Sequence, residues 1–132
     1  MSLQITAVYT ALLALLMLLL AYVVVKQRLA GVPAADDLEG SARFESIVRA
    51  HGNAAEYIPI SLLLLAALEN SVDSAALVHG FGLLILLSRI GHGYGMVTTV
   101  GRSAGRFYGT IGSWLYLLAA SVAVLLGQAG II

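Results

Sequence analysis

The sequence predicts an all-α membrane protein, a single domain over residues 1–132 built as a bundle of four transmembrane helices. Three observations carry that prediction. The chain is 60% hydrophobic and only 11% charged, more apolar surface than a soluble domain of this size can hide, so the bilayer is the expected solvent. Its apolar residues fall into four runs, at about 5–25, 46–68, 74–96 and 107–130, each long enough for a hydrocarbon core about 30 Å thick. The charges, seven basic and seven acidic, collect between those runs and sum to zero. Such a chain carries no electrostatic footprint for nucleic acid. It has no cysteine, which excludes a disulfide framework, a thiolate metal site and a protein thiol nucleophile.

Ile5 to Val25 is uncharged and roughly 30 Å long at helical rise. It reads as an uncleaved first span. A signal peptide would have a basic leader, which Met1-Ser2-Leu3-Gln4 lacks, and a shorter apolar region. Lys26 and Arg28 close the span. Ala30 to Ala42, with Gly31, Pro33, Asp36, Asp37 and Gly40, reads as an exposed loop, and either Ser41 or Asp37 is suited to cap the helix that follows. That second helix runs from about Ala42 to Asn70, and Pro59 inside it removes one backbone hydrogen bond and predicts a kink. After the polar turn Glu69-Asn70-Ser71-Val72-Asp73 comes a third helix, about Ser74 to Gly95, interrupted by His79, Arg89 and His92. Val97 to Arg106 is a second basic loop, and Phe107 to Ile131 a fourth span. Gly105, Gly109 and Ser113 repeat every four positions, a spacing that lets a neighbouring helix approach closely.

The first loop holds Lys26, Arg28 and Arg43, and the third holds Arg102 and Arg106. The second loop and both tails hold no basic side chain. The positive-inside tendency therefore places loops one and three in the cytoplasm and both termini outside.

The second helix carries the feature that needs explaining. Glu45, Arg49, Asn53 and Glu56 fall within roughly 80° of arc, one polar stripe leading into an apolar rod. On the predicted topology the stripe opens at the cytoplasmic side, where the Arg89-His92 end of the third helix also lies. An ionisable side chain in a span costs about 2.5–3.5 kcal/mol even on the lenient insertion scale, so these groups need a partner, water or a ligand. Two readings compete. In the first the cluster is structural, Arg49 pairing with Glu45 and Glu56 with Arg89, a network that fixes the fold without chemistry. In the second it binds a small zwitterion, with Arg49 and Arg89 taking carboxylates as forked donors, Glu56 an ammonium, and Asn53 an amide or carboxylate.

Metal binding is not expected, because His51, His79 and His92 share no zinc-like spacing and no HExxH or paired-acid pattern is present. His79 and His92 read equally as satisfied interior donors, and Tyr57 and Tyr94 as interfacial aromatics that flank the polar cluster. Gly91, Gly93 and Gly95 either pack against a neighbour or let a ligand approach the backbone. A transporter would want a repeat and a second broken helix, and neither is present.

The run Glu45-Ser46-Ile47-Val48-Arg49-Ala50-His51-Gly52-Asn53-Ala54-Ala55-Glu56-Tyr57-Ile58-Pro59 resembles the second-helix motif of the MAPEG family, membrane-associated proteins in eicosanoid and glutathione metabolism. The likeness rests on Arg49-Ala50, Asn53, Glu56-Tyr57 and Pro59, extends over nearly the whole chain, and is greatest to the short bacterial members. It implies a left-handed four-helix bundle assembled as a homotrimer in a bacterial inner membrane, with glutathione held between subunits at the cytoplasmic side as co-substrate. By position, the resemblance makes Arg49, Asn53, Glu56 and Tyr57 glutathione-binding residues, with His51 as a further polar contact and Arg89 as a ligand-binding arginine of the third helix. His92 and Tyr94 complete the candidate binding set. Where the eicosanoid branch has two tyrosines near the end of that helix, this chain has His92 and Met96, with Tyr94 out of register. The arginine that activates the thiol in that branch falls near Arg102 or Arg106, the candidate catalytic residues. The function implied is a glutathione transferase or peroxidase acting on lipophilic electrophiles or lipid hydroperoxides. The alternative is a non-catalytic binder of glutathione or lipid that acts through partners.

Overall fold

The computed structural model describes residues 3–34 and 36–131. They form four helices: α1 (Gln4–Leu29), α2 (Leu38–Ser71), α3 (Ala75–Thr98) and α4 (Ala104–Gln128). Local chemistry sets their ends. Asp37 rather than Ser41 caps α2, its carboxylate accepting from the Gly40 N–H at 2.9 Å, which satisfies one of the donors a helix start leaves unpaired. Ser74 and Ser103 do the same for α3 and α4, accepting from the N–H groups of Leu77 and Arg106. Because Ser103 is the cap, the expected basic loop from Val97 to Arg106 shrinks to a few residues and Arg106 sits in the first turn of α4. Gly101, at φ 85°, makes the turn before that cap, a backbone conformation in which a Cβ is strained. α2 continues unbroken through Pro59.

The helices run up, down, up and down. At one end the Glu69 carboxylate of α2 accepts from the N–H groups of Ile5 and Thr6 at 3.0 and 2.7 Å, holding the start of α1. At the other end the buried Ser46 hydroxyl of α2 donates to the Met96 carbonyl of α3 at 2.7 Å. α2 packs against all three other helices, whereas α1 and α4 do not meet. The core between them is a layer of Leu13, Leu20, Ala54, Ile58, Ile85, Tyr116 and neighbours, with a second cluster of Tyr9, Leu65, Leu68, Val78 and Ala123 beside the Glu69 end.

α3 and α4 lie closest together, and glycine is the reason. A Cβ on Gly109 would fall 2.6 Å from the His92 backbone and the Ser88 carbonyl, and one on Gly95 would fall 2.6 Å from the Arg106 nitrogen. The Gly105-Gly109-Ser113 stripe thus serves packing within the chain, and Gly91 and Gly95 face it. Outward, the bundle is apolar: Leu15, Leu18, Leu118 and Leu125 are each more than 60% exposed, far more uncovered apolar surface than water tolerates. Three of the helices, α1, α3 and α4, are long and apolar enough to cross a membrane. α2, expected as a span over 46–68, falls short of that apolarity because its polar stripe dilutes the run that follows Pro59.

Candidate functional site

Arg89 of α3 organises the site. It is 1% exposed and makes no ion pair among the described residues. Its partners are neutral: Nη2 donates to Asn53 Oδ1 at 2.7 Å and Nη1 to Ser113 Oγ at 3.2 Å, while the guanidinium lies 5.0 Å from the centre of the Tyr57 ring. Its Nε has no partner. The close approach of α3 and α4 brings Ser113 within reach, and the Ser113 hydroxyl in turn donates a hydrogen bond to the Gly109 carbonyl. Arg89 Nη2 also lies 3.2 Å from His92 Nδ1. A guanidinium only donates, so that nitrogen is the acceptor and His92 is the neutral tautomer with its proton on Nε2. A cation solvated only by dipoles in a dry interior is costly to keep. Its field is left to act on whatever enters the space beside it.

That space is a cleft of about 470 Å3 between α2, α3 and α4, lined by Glu45, Ser46, Arg49, Asn53, His92, Met96, Arg106 and Thr110 among others. It lies within the usual size range of small-molecule sites. Arg106 reaches across from α4, donating through Nη2 to Ser46 Oγ at 3.3 Å and through Nη1 to the Gly101 carbonyl. Arg49 and Glu45 form the one ion pair among the described residues, at 3.5 Å with both side chains about 70% exposed, which is weak by its exposure. Glu56 shares a smaller cleft of about 110 Å3 with Arg49, Gly52 and Asn53. A second large cavity of about 990 Å3 adjoins the main cleft, and Gly101, Arg106 and Thr110 line both.

Most of the residues singled out in the sequence meet here. Arg49, Asn53, His92 and Arg106 line the main cleft, and Arg89 lies behind it, bonded to Asn53 and beside His92. Tyr57 stacks on Arg89 and accepts from the Trp114 indole N–H at 2.9 Å. Arg102 lines only the second cavity. Glu56 is exposed on the outer face of α2 and His51 is half-buried outside both large cavities. Tyr94 is 70% exposed and takes no part in either, whereas Met96 lines the cleft. The proposed Glu56–Arg89 pair does not form, because Arg89 turns inward while Glu56 faces out. Ser46, Thr110, Ser113 and Trp114 were not foreseen as site residues. Only Ser113 had a signal, its place in the small-residue stripe. Among the described residues no three His, Asp or Glu side chains gather to hold a metal ion.

Apolar helices around a cleft lined by arginines define an integral membrane protein with a polar cleft at one end of its bundle. The model of the MAPEG family matches residues 6–126, and the chain belongs to that family. It is similar to the inner membrane protein YecN of Escherichia coli strain K12, 36% identical over 92 residues that cover 70% of each chain. The YecN protein of Escherichia coli O6:H1 strain CFT073 is similar to the same degree. No solved structure matches the chain.

Proposed function

We propose that the main cleft binds glutathione and that the protein is a glutathione transferase or peroxidase of a bacterial inner membrane. One observation carries this reading. Arg49 and Arg106 line a single cleft with Arg89 behind its wall, and among the described residues the one ion pair there is the exposed one between Arg49 and Glu45, so the site is suited to an anion. Glutathione fits the inventory, its two carboxylates matching forked guanidinium donors, its amides matching Asn53, and its ammonium matching Glu56 or Glu45. Family membership supports the same ligand.

Arg106 is the residue that we assign to the thiol. A free thiol has a pKa of about 8.5, and the thiolate is the nucleophile. Lowering that value by about two units takes roughly 2.7 kcal/mol of preference for the anion, which a guanidinium in a partly dry cleft can supply. Arg106 lines both cavities, so a thiolate beside it meets an electrophile arriving from the apolar side. In transfer, the sulfur forms a bond to an electrophilic carbon as the leaving group departs with the electron pair. With a lipid hydroperoxide, the thiolate takes the terminal oxygen, the O–O bond breaks, the alcohol leaves with a proton, and a second glutathione yields the disulfide and water.

We further propose a homotrimer whose sites lie between adjacent subunits. Glu56 is exposed on α2, roughly 20 Å along the helix from Glu69 at its far end. That is within hydrocarbon depth, where a carboxylate facing lipid is expensive, and a neighbouring subunit with bound ligand would cover it. The basic residues Lys26, Arg28, Arg43 and Arg102 all stand at the cleft end, which favours that end as cytoplasmic and both termini as external.

The test is glutathione binding by detergent-purified protein, with the ultraviolet absorbance of bound thiolate followed over pH. Saturable binding that Arg49→Ala weakens at least tenfold, with thiolate well below the free thiol's pKa, supports the enzyme. Binding without thiolate favours the non-catalytic alternative, to which the outward Tyr94 and the Met96 lining are suited. No binding at millimolar glutathione rejects the site.

A further inference from the structure

Every hydrogen bond of Arg89 goes to an acceptor, and that decides what its neighbours present to the cleft. A guanidinium has N–H groups and no lone pair to offer, so each atom bonded to it is the accepting atom of its own side chain. Nη2 holds two such atoms, one for each of its hydrogens: Asn53 Oδ1 at 2.7 Å and His92 Nδ1 at 3.2 Å. The Asn53 amide is therefore turned with its Nδ2–H groups away from Arg89, and the His92 imidazole carries its proton on Nε2. Neither Asn53 Nδ2 nor His92 Nε2 has a hydrogen-bond partner among the described residues. Nor is either sealed in the interior, where the unpartnered side-chain atoms are those of Thr6, Ser61 and Arg89 itself. Both residues line the main cleft, so their free N–H groups open into it.

Three helices build the frame that sets this pair. Arg89 and His92 stand one turn apart on α3, on one face of the helix, and Asn53 comes from α2. Nη1 of Arg89 is anchored on α4 by Ser113 Oγ at 3.2 Å, whose own hydrogen is committed to the Gly109 carbonyl. Arg89 itself is 1% exposed and stands outside the lining of the cleft. We infer that Arg89 is a positioning residue, in place of the direct ligand contact that the family resemblance implies: it fixes Asn53 and His92 as two neutral N–H donors facing the cleft, a cradle for a group that only accepts. A carboxylate or peptide carbonyl oxygen fits that cradle, with the buried guanidinium adding positive potential behind it. An ammonium has no lone pair and is turned away, so a zwitterionic peptide enters in one orientation, its cationic end toward Glu45 and Glu56. The inference rests on the glutathione reading for its ligand, and adds which way round the peptide lies.

Two measurements on the full-length protein in detergent test this role. In the first, heteronuclear NMR of the imidazole rings reports which nitrogen bears the proton, and His92 is told from His51 and His79 by the loss of its signals in His92→Asn. The expected form without ligand is Nε2–H, retained in Arg89→Lys and mixed with Nδ1–H in Arg89→Met. In the second, glutathione affinity is measured for variants that separate the two nitrogens. Asparagine places an acceptor where Nδ1 stands but no donor at Nε2, so His92→Asn should bind about tenfold more weakly, the contribution of one hydrogen bond to a charged acceptor. Glutamine reaches the Nε2 position with an N–H, and His92→Gln should stay within about threefold of wild type. Asn53→Asp keeps the acceptor that Arg89 needs but turns the cleft donor into a second acceptor. Its binding should fall about a hundredfold or more, while its thermal midpoint is no lower than that of wild type. An Nδ1–H tautomer in the unliganded protein overturns the inference, as does equal loss in His92→Asn and His92→Gln, or wild-type affinity in Asn53→Asp. A wild type that binds no glutathione rejects the glutathione reading and this inference together, whereas binding by wild type with any of those outcomes rejects only the role of Arg89.

Discussion

Arg89 and Arg106 show how two identical side chains are given different work. Arg89 is buried and tied to Asn53 and Ser113, so its position is fixed before any ligand arrives. Arg106 is half-buried and held by Ser46 and the Gly101 carbonyl, at the partition between a polar and an apolar cavity. Asn53→Leu removes the shortest acceptor from a buried cation and should destabilise the protein by about 2 kcal/mol, read as a shift in denaturant midpoint in detergent, together with weaker glutathione binding. Arg106→Gln should leave binding within a few-fold but return the bound thiol toward its free pKa, a loss of about two units. The thiolate absorbance titration measures that shift, and an unchanged titration would reject Arg106 as the activating group. At this scale the sequence was informative on identity and poor on partnership. The stripe of Glu45, Arg49, Asn53 and Glu56 was readable from helical period, and of the two pairs in the structural reading only Glu45–Arg49 is present. Ser46 gave no signal and Ser113 only its place in the small-residue stripe, because ordinary serines acquire roles only through what another helix places opposite them.

The helices and three of the apolar spans were legible because length and hydropathy are properties of one segment at a time. Which faces meet is a property of pairs, and there the reading ran out. The Gly105-Gly109-Ser113 stripe suggested a close-packed neighbour, and that neighbour is α3 of the same chain. Two glycines on α3 separate packing from helix propensity. Gly95→Ala would press a methyl 2.6 Å from the Arg106 nitrogen and should cost about 1–3 kcal/mol. On Gly91 the nearest atom to an added Cβ is 3.9 Å away, so Gly91→Ala should be neutral or gain up to about 1 kcal/mol from helix propensity. Thermal unfolding of the two variants in one detergent makes the comparison.

At the far end, Glu69 bridges elements. Burial raises the pKa of its carboxyl, but hydrogen bonds from Thr6 and Ile5 and the nearby His79 outweigh that and hold it below the ordinary carboxylate value. A depressed folded pKa means that the proton binds the unfolded chain more readily. The stability it contributes is thus complete above the unfolded carboxyl pKa and lost as pH falls through the folded value. Glu69→Gln should therefore be less stable than wild type at neutral pH, and the gap should close in acid. A gap that persists unchanged at low pH would show that the contact does not depend on charge.

For the whole molecule, the subunit arrangement is the proposal with the widest reach. If the glutathione site is shared between copies, with the outward Glu56 of one chain completing the cleft of the next, Glu56→Ala and Arg106→Gln chains, each deficient in forming bound thiolate alone, should recover part of it when co-expressed and assembled together. Mixed assemblies with no recovery would place the whole site within one chain. The apolar exterior and the basic end were evident from the sequence, because a membrane sorts residues by solvent before any contact forms. The homotrimer came only from the family resemblance, since a surface that meets a copy and a surface that meets lipid are written in the same apolar residues.

The partition formed by Arg106 has a kinetic consequence. One cavity opens at the polar end of the bundle and the other along its apolar flank, so the two reactants of the proposed chemistry are supplied from different phases. Glutathione would be counted in moles per litre of water, whereas the electrophile would be counted in moles per mole of lipid. Adding inert phospholipid at fixed total electrophile should then slow turnover in proportion, although nothing has bound to the enzyme and no bulk concentration has changed. In a cell, the protein's rate would follow how crowded the bilayer is with oxidised or reactive lipid, making it respond to the condition of the membrane around it.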